Sequence, residues 1–340
     1  MTSSTNQQIL LKSRPVGEPK ESDFALVETP IPEPGEGEVL NRTIYLSLDP
    51  YMRGRMSDRE SYAAPVKLGS VMVGGTVSQV VKSNHPQFST GDFVLSYDGW
   101  QAYGISKGET LRSLDPNQAP ISYALSVTGM PGMTAYFALL DIGQPKSGET
   151  VVVSAATGAV GSVVGQIAKI KGCRVVGVVG SDAKSDYAVK ELGFDACINR
   201  KTQELSSALK AACPNGIDVY FDNTAGPILE VVLQQLNLGA RIPLVGLISE
   251  YNAESPPLGP NLMPLLVKRA LIKGFLVGDY LHRQSEFLND VSQWLREGKL
   301  KYKEDLVENL ENAPQAFMGL LQGKNFGKLI VKVSDDPTKI

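Results

Sequence analysis

The sequence predicts a two-part α/β protein, a β-rich N-terminal part followed by a doubly wound parallel-sheet domain. Three observations lead there. Residues 8 to about 125 hold short apolar segments cut by Pro and Gly. From about residue 130 the apolar period changes from two to 3.6. Early in this second pattern, the run Thr150-Val-Val-Val-Ser-Ala-Ala-Thr-Gly-Ala-Val-Gly-Ser-Val-Val-Gly165 carries a β-rich stretch through a small-residue turn into a helix.

In the first part, residues 8–13, 25–29, 38–46, 71–82, 92–97 and 101–106 read as strands, and their spacing favours an irregular barrel or sandwich. Gly69, Gly74, Gly75, Gly91 and Gly99 fall where such strands must bend or turn. In the second part, strand 151–154 leads into a helix with Val160, Val163, Val164, Ile167 and Ile170 on one face. Then come 174–179, a helix through Tyr187 to Leu192, 196–198, 205–212, 217–221, 228–236, 241–245, 262–271 and 272–277. Such alternation of strand and helix buries a parallel sheet between helical layers. A helix near 286–297 precedes a tail of 305–308, 313–322 and the strand-like 328–333. The tail is expected to return to the first domain and leave a cleft between the two, where ligands prefer to bind.

Composition removes several function classes. With 33 basic and 36 acidic side chains the net charge is −3, so no electrostatic footprint for nucleic acid or acidic lipid is present. Cys173, Cys197 and Cys213 are odd in number and form no C-x-x-C pair, which fits a reducing compartment. The apolar patch Ile9-Leu10-Leu11 is too short for a signal-peptide core, and no apolar run is long enough for a bilayer. The expected location is cytoplasmic.

The turn after residue 154 has the chemistry of a dinucleotide site. Gly158 and Gly161, with Ala159 and Val160 between them, let the backbone approach a pyrophosphate while the following helix offers free N–H groups. Ala156 stands where G-x-G-x-x-G has its first glycine, so the fingerprint is one residue short. The next strand ends Val178-Val179-Gly180-Ser181 without the carboxylate that would bind the ribose hydroxyls of NAD, although Asp182 follows closely. Small residues there leave room for a 2′-phosphate, and Ser181, Lys184 and Arg200 are its candidate partners, which favours NADP(H) over NAD. The plain alternative for Lys184 and Arg200 is solvated surface charge. A zinc site needs clustered Cys, His and carboxylate ligands, yet the only histidines are His85 and His282 and the β-rich part has no cysteine, so no metal is expected.

With these features assembled, the sequence resembles the medium-chain dehydrogenase/reductases, in the zinc-independent branch of leukotriene B4 dehydrogenase/prostaglandin reductases, plant alkenal reductases and bacterial curcumin reductases. The resemblance spans nearly the whole chain. Its carriers, in family order, are Leu46-Ser-Leu-Asp-Pro-Tyr-Met-Arg53, Gly129-Met-Pro-Gly-Met-Thr-Ala-Tyr136, Ala155-Ala-Thr-Gly-Ala-Val-Gly-Ser162, Asp222-Asn-Thr-Ala-Gly226, Gly246-Leu-Ile-Ser-Glu-Tyr-Asn252 and Gly323-Lys-Asn-Phe-Gly-Lys328. It implies a GroES-like catalytic domain at residues 1–128, a Rossmann NADP-binding domain at 129–297 and a return to the catalytic domain at 298–340. It implies NADPH-dependent reduction of a C=C bond conjugated to a carbonyl, with Thr134 and Asn325 at the nicotinamide end, Asn223 along the cofactor and Lys184 on the 2′-phosphate. At Arg200 many relatives carry a tyrosine, so the chain departs there, and a guanidinium fork suits the same phosphate. A homodimer is likewise an implication of the resemblance.

The resemblance also places Tyr251 beside the substrate carbonyl, as catalytic residue and as a contact for substrate and cofactor. Its hydroxyl would meet the charge of an enolate, and a phenol keeps its proton at neutral pH. The competing role for Tyr251 is an amphipathic wall residue. Tyr51 is read as a pocket wall, with Met52 and Met56 beside it as either wall or core filler. The loop 250–263, rich in Pro256, Pro257, Gly259 and Pro260, is expected beside the site, where it could close over a bulky substrate. Two other functions compete: a quinone reductase using the same cofactor site, and an NADPH-binding sensor without turnover.

Overall fold

Alternating apolar residues and frequent turns build the first part of the chain from strands. A computed structural model describes residues 5–255 and 257–339. Strand β1 (Thr5–Leu11) pairs antiparallel with β2 (Phe24–Pro30) as a separate two-stranded sheet. There follow β3 (Glu38–Ser47), the short helix α1 (Met52–Arg55), β4 (Thr76–Ser83), β5 (Phe93–Ser96), β6 (Tyr103–Lys107) and β7 (Arg112–Leu114). Next come α2 (Met130–Phe137), β8 (Thr150–Ser154), α3 (Gly161–Ile170), β9 (Arg174–Val179), α4 (Asp182–Lys190), β10 (Ala196–Asn199) and α5 (Leu205–Ala212). They are succeeded by β11 (Ile217–Phe221), α6 (Gly226–Leu233), β12 (Leu236–Leu244), α7 (Met263–Lys268), β13 (Leu271–Gly274) and α8 (Gln284–Arg296). The tail is β14 (Glu304–Glu308), α9 (Ala313–Leu321) and β15 (Lys328–Lys332).

The chain divides into two compact units. One holds Met1–Leu125, Glu304–Asn325 and Leu329–Ile340; the other holds Ser126–Lys303 and Phe326–Lys328. In the first, a seven-stranded sheet runs β14-β15-β3-β4-β5-β7, with β6 also paired to β3. Trp100 anchors its largest core, stacked on Phe24 at 5.6 Å and edge-on to Phe317 of α9 at 5.7 Å. Met52 and Met56 are wholly buried in the same core, which settles them as core filler. The strand expected over 71–82 is shorter, because Val71 only bridges Leu10 and the regular strand starts at Thr76. Between them Gly74 passes so near Leu46 that a Cβ would lie 2.8 Å from Leu46 Cδ1.

In the second unit six parallel strands run β10-β9-β8-β11-β12-β13. The order reverses between β8 and β11, the switch point at which open α/β sheets bind ligands. Every residue of β8 is buried, as a central strand covered on both faces requires. Helix α4 starts at Asp182 behind a Ser181 cap, earlier than the apolar spacing alone indicates, and α6 ends at Leu233 because Leu236 already belongs to β12. Periodicity gives no sign of α2, for which the reason is burial: residues Pro131 to Phe137 are all enclosed, leaving no polar face.

Helix α3 lies close against the chain that follows α4. A Cβ on Gly165 would stand 1.9 Å from Phe194 Cζ, and the ring is buried on its other sides. Gly165→Ala is therefore expected to cost about 1–3 kcal/mol by overpacking, seen as a lower urea midpoint; an unchanged midpoint would contradict this account of the contact.

Candidate cofactor and active site

The turn between β8 and α3 is built for close approach. Ala155 adopts a positive φ of 49°, and Gly158 N–H donates to the Ala155 carbonyl at 2.9 Å. At Gly161 a Cβ would meet that same carbonyl oxygen at 2.4 Å, so only glycine fits. The N–H groups of Ala159, Val160 and Gly161 have no partner among the described residues, the arrangement that receives phosphate oxygens at a helix start. The missing first glycine is compensated from the neighbouring strand. Ala156 faces Gly177 of β9, where an added Cβ would stand 2.8 Å from the Ala156 methyl.

Hydrogen bonds tie the tip of β9 to β10 and the segment after it. Ser181 Oγ accepts from the Lys184 N–H at 3.4 Å, which places Lys184 in the first turn of α4. Arg200 N–H donates to the Val179 carbonyl at 3.0 Å, so the exposed Arg200 follows directly at the strand end. Lys201 also arrives there, its Cε 3.6 Å from where a Gly180 Cβ would be. The sequence reading missed Lys201, whose signal was only its adjacency to Arg200. Asp182 is already engaged, its Oδ1 accepting from Asn199 Nδ2 at 2.7 Å. The corner therefore gathers Ser181, Lys184, Arg200 and Lys201, and the Asp182 carboxylate is held by a hydrogen bond from the Asn199 side-chain amide.

Across the switch point, Asn223 N–H donates to Ser154 Oγ at 2.9 Å and Asn223 Nδ2 to the Ser154 carbonyl at 2.7 Å. The loop bearing Tyr251 is fastened to the same turn: Ile248 N–H donates to the Asn223 carbonyl at 3.4 Å, and Ser249 Oγ to the Thr224 carbonyl at 2.6 Å. Tyr251 is half-buried, and its hydroxyl oxygen accepts from the Leu247 N–H at 3.3 Å. Burial raises the phenol above its ordinary pKa, with the Leu247 bond opposing in part. The acceptor side of that oxygen is thus occupied while its own proton remains to be donated. Thr134 sits buried on α2, its hydroxyl donating to Met130 Sδ at 3.8 Å. Tyr51 and Asn325 belong to the other unit, where burial beside Asp49 raises the Tyr51 phenol. The loop after Tyr251 has no regular structure before Met263, and Pro256 lies outside the described residues.

Residues 7–114 match the family described as N-terminal domain of oxidoreductase, and residues 159–297 the one described as zinc-binding dehydrogenase. The NADPH-dependent curcumin reductase of Escherichia coli (strain K12) is 53% identical over 337 residues, covering 97% of this chain and 98% of that protein. The chain belongs to the medium-chain dehydrogenase/reductase family. Within that family it stands in the branch of the prostaglandin, alkenal and curcumin reductases. The 2-alkenal reductase (NADP(+)-dependent) of Nicotiana tabacum is 44% identical, covering 97% of this chain and 98% of its own. The crystal structure of CurA in complex with NADPH from Vibrio vulnificus superposes with a TM-score of 0.93 at 55% identity, covering 97% of this chain and 100% of that one.

The zinc named in one family description does not suit this member's residues. Among the described residues no three His, Cys, Asp or Glu side chains gather to hold a metal ion. His85 packs on Phe88, its ring centroid 5.6 Å away, and its Nδ1 accepts from the Gln87 N–H, a turn role. His282 is exposed in a short 3₁₀ segment.

Proposed function

We propose that this protein reduces the C=C bond of α,β-unsaturated ketones and aldehydes with NADPH, using Tyr251 as the donor to the enolate oxygen. It is an NADPH-dependent oxidoreductase acting on CH–CH bonds. The observation that carries the Tyr251 role is its hydroxyl geometry: the oxygen is held by the Leu247 N–H, in a loop bonded to the Asn223 turn.

The turn at Gly158, Ala159, Val160 and Gly161 fits the pyrophosphate, and Ser181, Lys184, Arg200 and Lys201 fit the 2′-phosphate. Asn223 would lie along the cofactor, with Thr134 and Asn325 at its nicotinamide end. When bound, NADPH supplies the hydride that reduces the β carbon. Tyr251 then meets charge that appears only as the carbonyl oxygen becomes an enolate, which is where a donor lowers the barrier. A phenol keeps its proton through neutral pH, and burial shifts Tyr251 further in that direction, so donation needs no prior protonation step. We assign Tyr51 to the substrate side. The N-terminal β-rich domain is the substrate domain in this reading, and the enone class covers curcumin-like and alkenal substrates. The three cysteines are free, in keeping with the cytoplasm, and no helix among the described residues is long and apolar enough to cross a membrane.

We further propose a homodimer formed on β13. This strand ends the six-stranded sheet with all four residues exposed, and Leu262, Met263, Leu266 (73% exposed) and Val267 of the adjoining α7 region are exposed as well. An unpaired strand edge beside an apolar patch is a surface that soluble proteins cover.

Three measurements test these readings. Tyr251→Phe should lower kcat for an enone by about a hundredfold, roughly 3 kcal/mol, with NADPH affinity nearly intact; full turnover would remove the tyrosine from the chemistry. Lys184→Ala and Lys201→Ala should each raise KM for NADPH far more than for NADH, and equal effects on the two would reject the phosphate corner. Leu266→Glu should convert a dimer to a monomer in light scattering, whereas a monomeric parent protein would end the dimer reading.

A further inference from the structure

Asp222 follows β11 directly and is wholly buried, where a carboxyl group is costly unless hydrogen bonds satisfy it. One of its oxygens does nearly all the work. Oδ1 accepts from Tyr220 Oη at 2.9 Å, from the Thr224 N–H at 2.9 Å and from the Ala225 N–H at 2.8 Å, with the Thr224 and Ser154 hydroxyls at 3.4 Å. Oδ2 has no hydrogen-bond partner among the described residues. Burial pushes the carboxyl up from its usual range, against the pull of these donors.

What the two backbone bonds hold is an unfavourable turn. Ala225 has φ 55° and ψ −150°, a region that residues with a Cβ avoid, and Gly226 follows at φ 57°. With the chain folded back in this way, the Thr224 carbonyl accepts from both Ser249 N–H, at 3.2 Å, and Ser249 Oγ, at 2.6 Å. Ser249 lies inside the turn closed by Glu250 N–H donating to the Leu247 carbonyl at 2.8 Å, and Leu247 N–H holds the Tyr251 hydroxyl. Hydrogen bonds at Thr224 and Leu247, joined by the short backbone from Leu247 to Ser249, therefore connect the buried carboxyl to the phenol.

We propose that Asp222 is a positioning residue for the reduction, setting the place of the Tyr251 hydroxyl through the Thr224 carbonyl and Ser249 without touching substrate or cofactor. The proposal rests on Tyr251 being the enolate donor. Truncating Asp222 frees the strained Ala225 turn and lets the Ser249 anchor shift, and a donor displaced by a fraction of an ångström loses much of its effect on the transition state. Asn at this position keeps an acceptor for the two N–H groups and so preserves the turn.

The test is a double-mutant cycle on kcat for a phenyl enone at saturating NADPH, run well below the lowest melting temperature of the set. Asp222→Ala should lower kcat about tenfold, Asp222→Asn should recover most of that loss, and adding Asp222→Ala to Tyr251→Phe should change kcat less than threefold. Ser249→Ala, which removes one bond of the series, serves if Asp222→Ala does not fold; its loss too should vanish in the Tyr251→Phe background. Losses that persist undiminished in that background, or undiminished turnover in both Asp222→Ala and Ser249→Ala, overturn the positioning role while leaving Tyr251 in place. Full turnover of Tyr251→Phe overturns the donor reading and the proposal with it.

Discussion

The seam between β8 and β11 is the constraint on which the site depends. At this point the strand order reverses, so the segments leaving the two strands diverge and open a crevice. Two bonds from Asn223 to Ser154 hold the mouth of that crevice at a set width. On one side stands the glycine turn, whose N–H groups at Ala159, Val160 and Gly161 have no partner among the described residues; on the other stands the turn that carries the Tyr251 loop. Neither strand alone would relate them, since the bonds within each turn are local.

The phosphate corner shows how charge is sorted by backbone geometry. Asp182, which lies in sequence near the place of an NAD-reading acid, is turned to the Asn199 amide. Lys201 and Arg200 reach the same strand tip because β10 runs parallel to β9 in register, Asn199 opposite Val179, so the residues that follow emerge beside Gly180. In the binding mode proposed above, a dianionic phosphate would meet positive charge there and a Ser181-capped helix start.

Much of this was legible in the chain. The bounds of β9, α5 and β11 coincide with the segments read from apolar period, because each has a clear face or a full β-branched run between turn residues. What escaped did so for definite reasons. Helix α2 has no polar side to set a period, and Lys201 comes to Gly180 by the direction of its stem, which spacing does not encode. Met52 and Met56 have the same sequence signature as pocket lining and as core, and only their complete burial separates the two. Asp222 was visible as part of a motif, yet its use depends on a turn conformation at Ala225 that no residue in the motif announces.

Ala156 and Gly177 have a wider consequence. The space at the foot of this turn is divided between the turn and the neighbouring strand, with the methyl at Ala156 and no side chain at Gly177. The two positions form one steric unit, so in the descent of such chains they are expected to vary together. A chain with glycine at 156 has more room for alanine at 177, and a fingerprint defined by one turn would score these equivalent solutions differently.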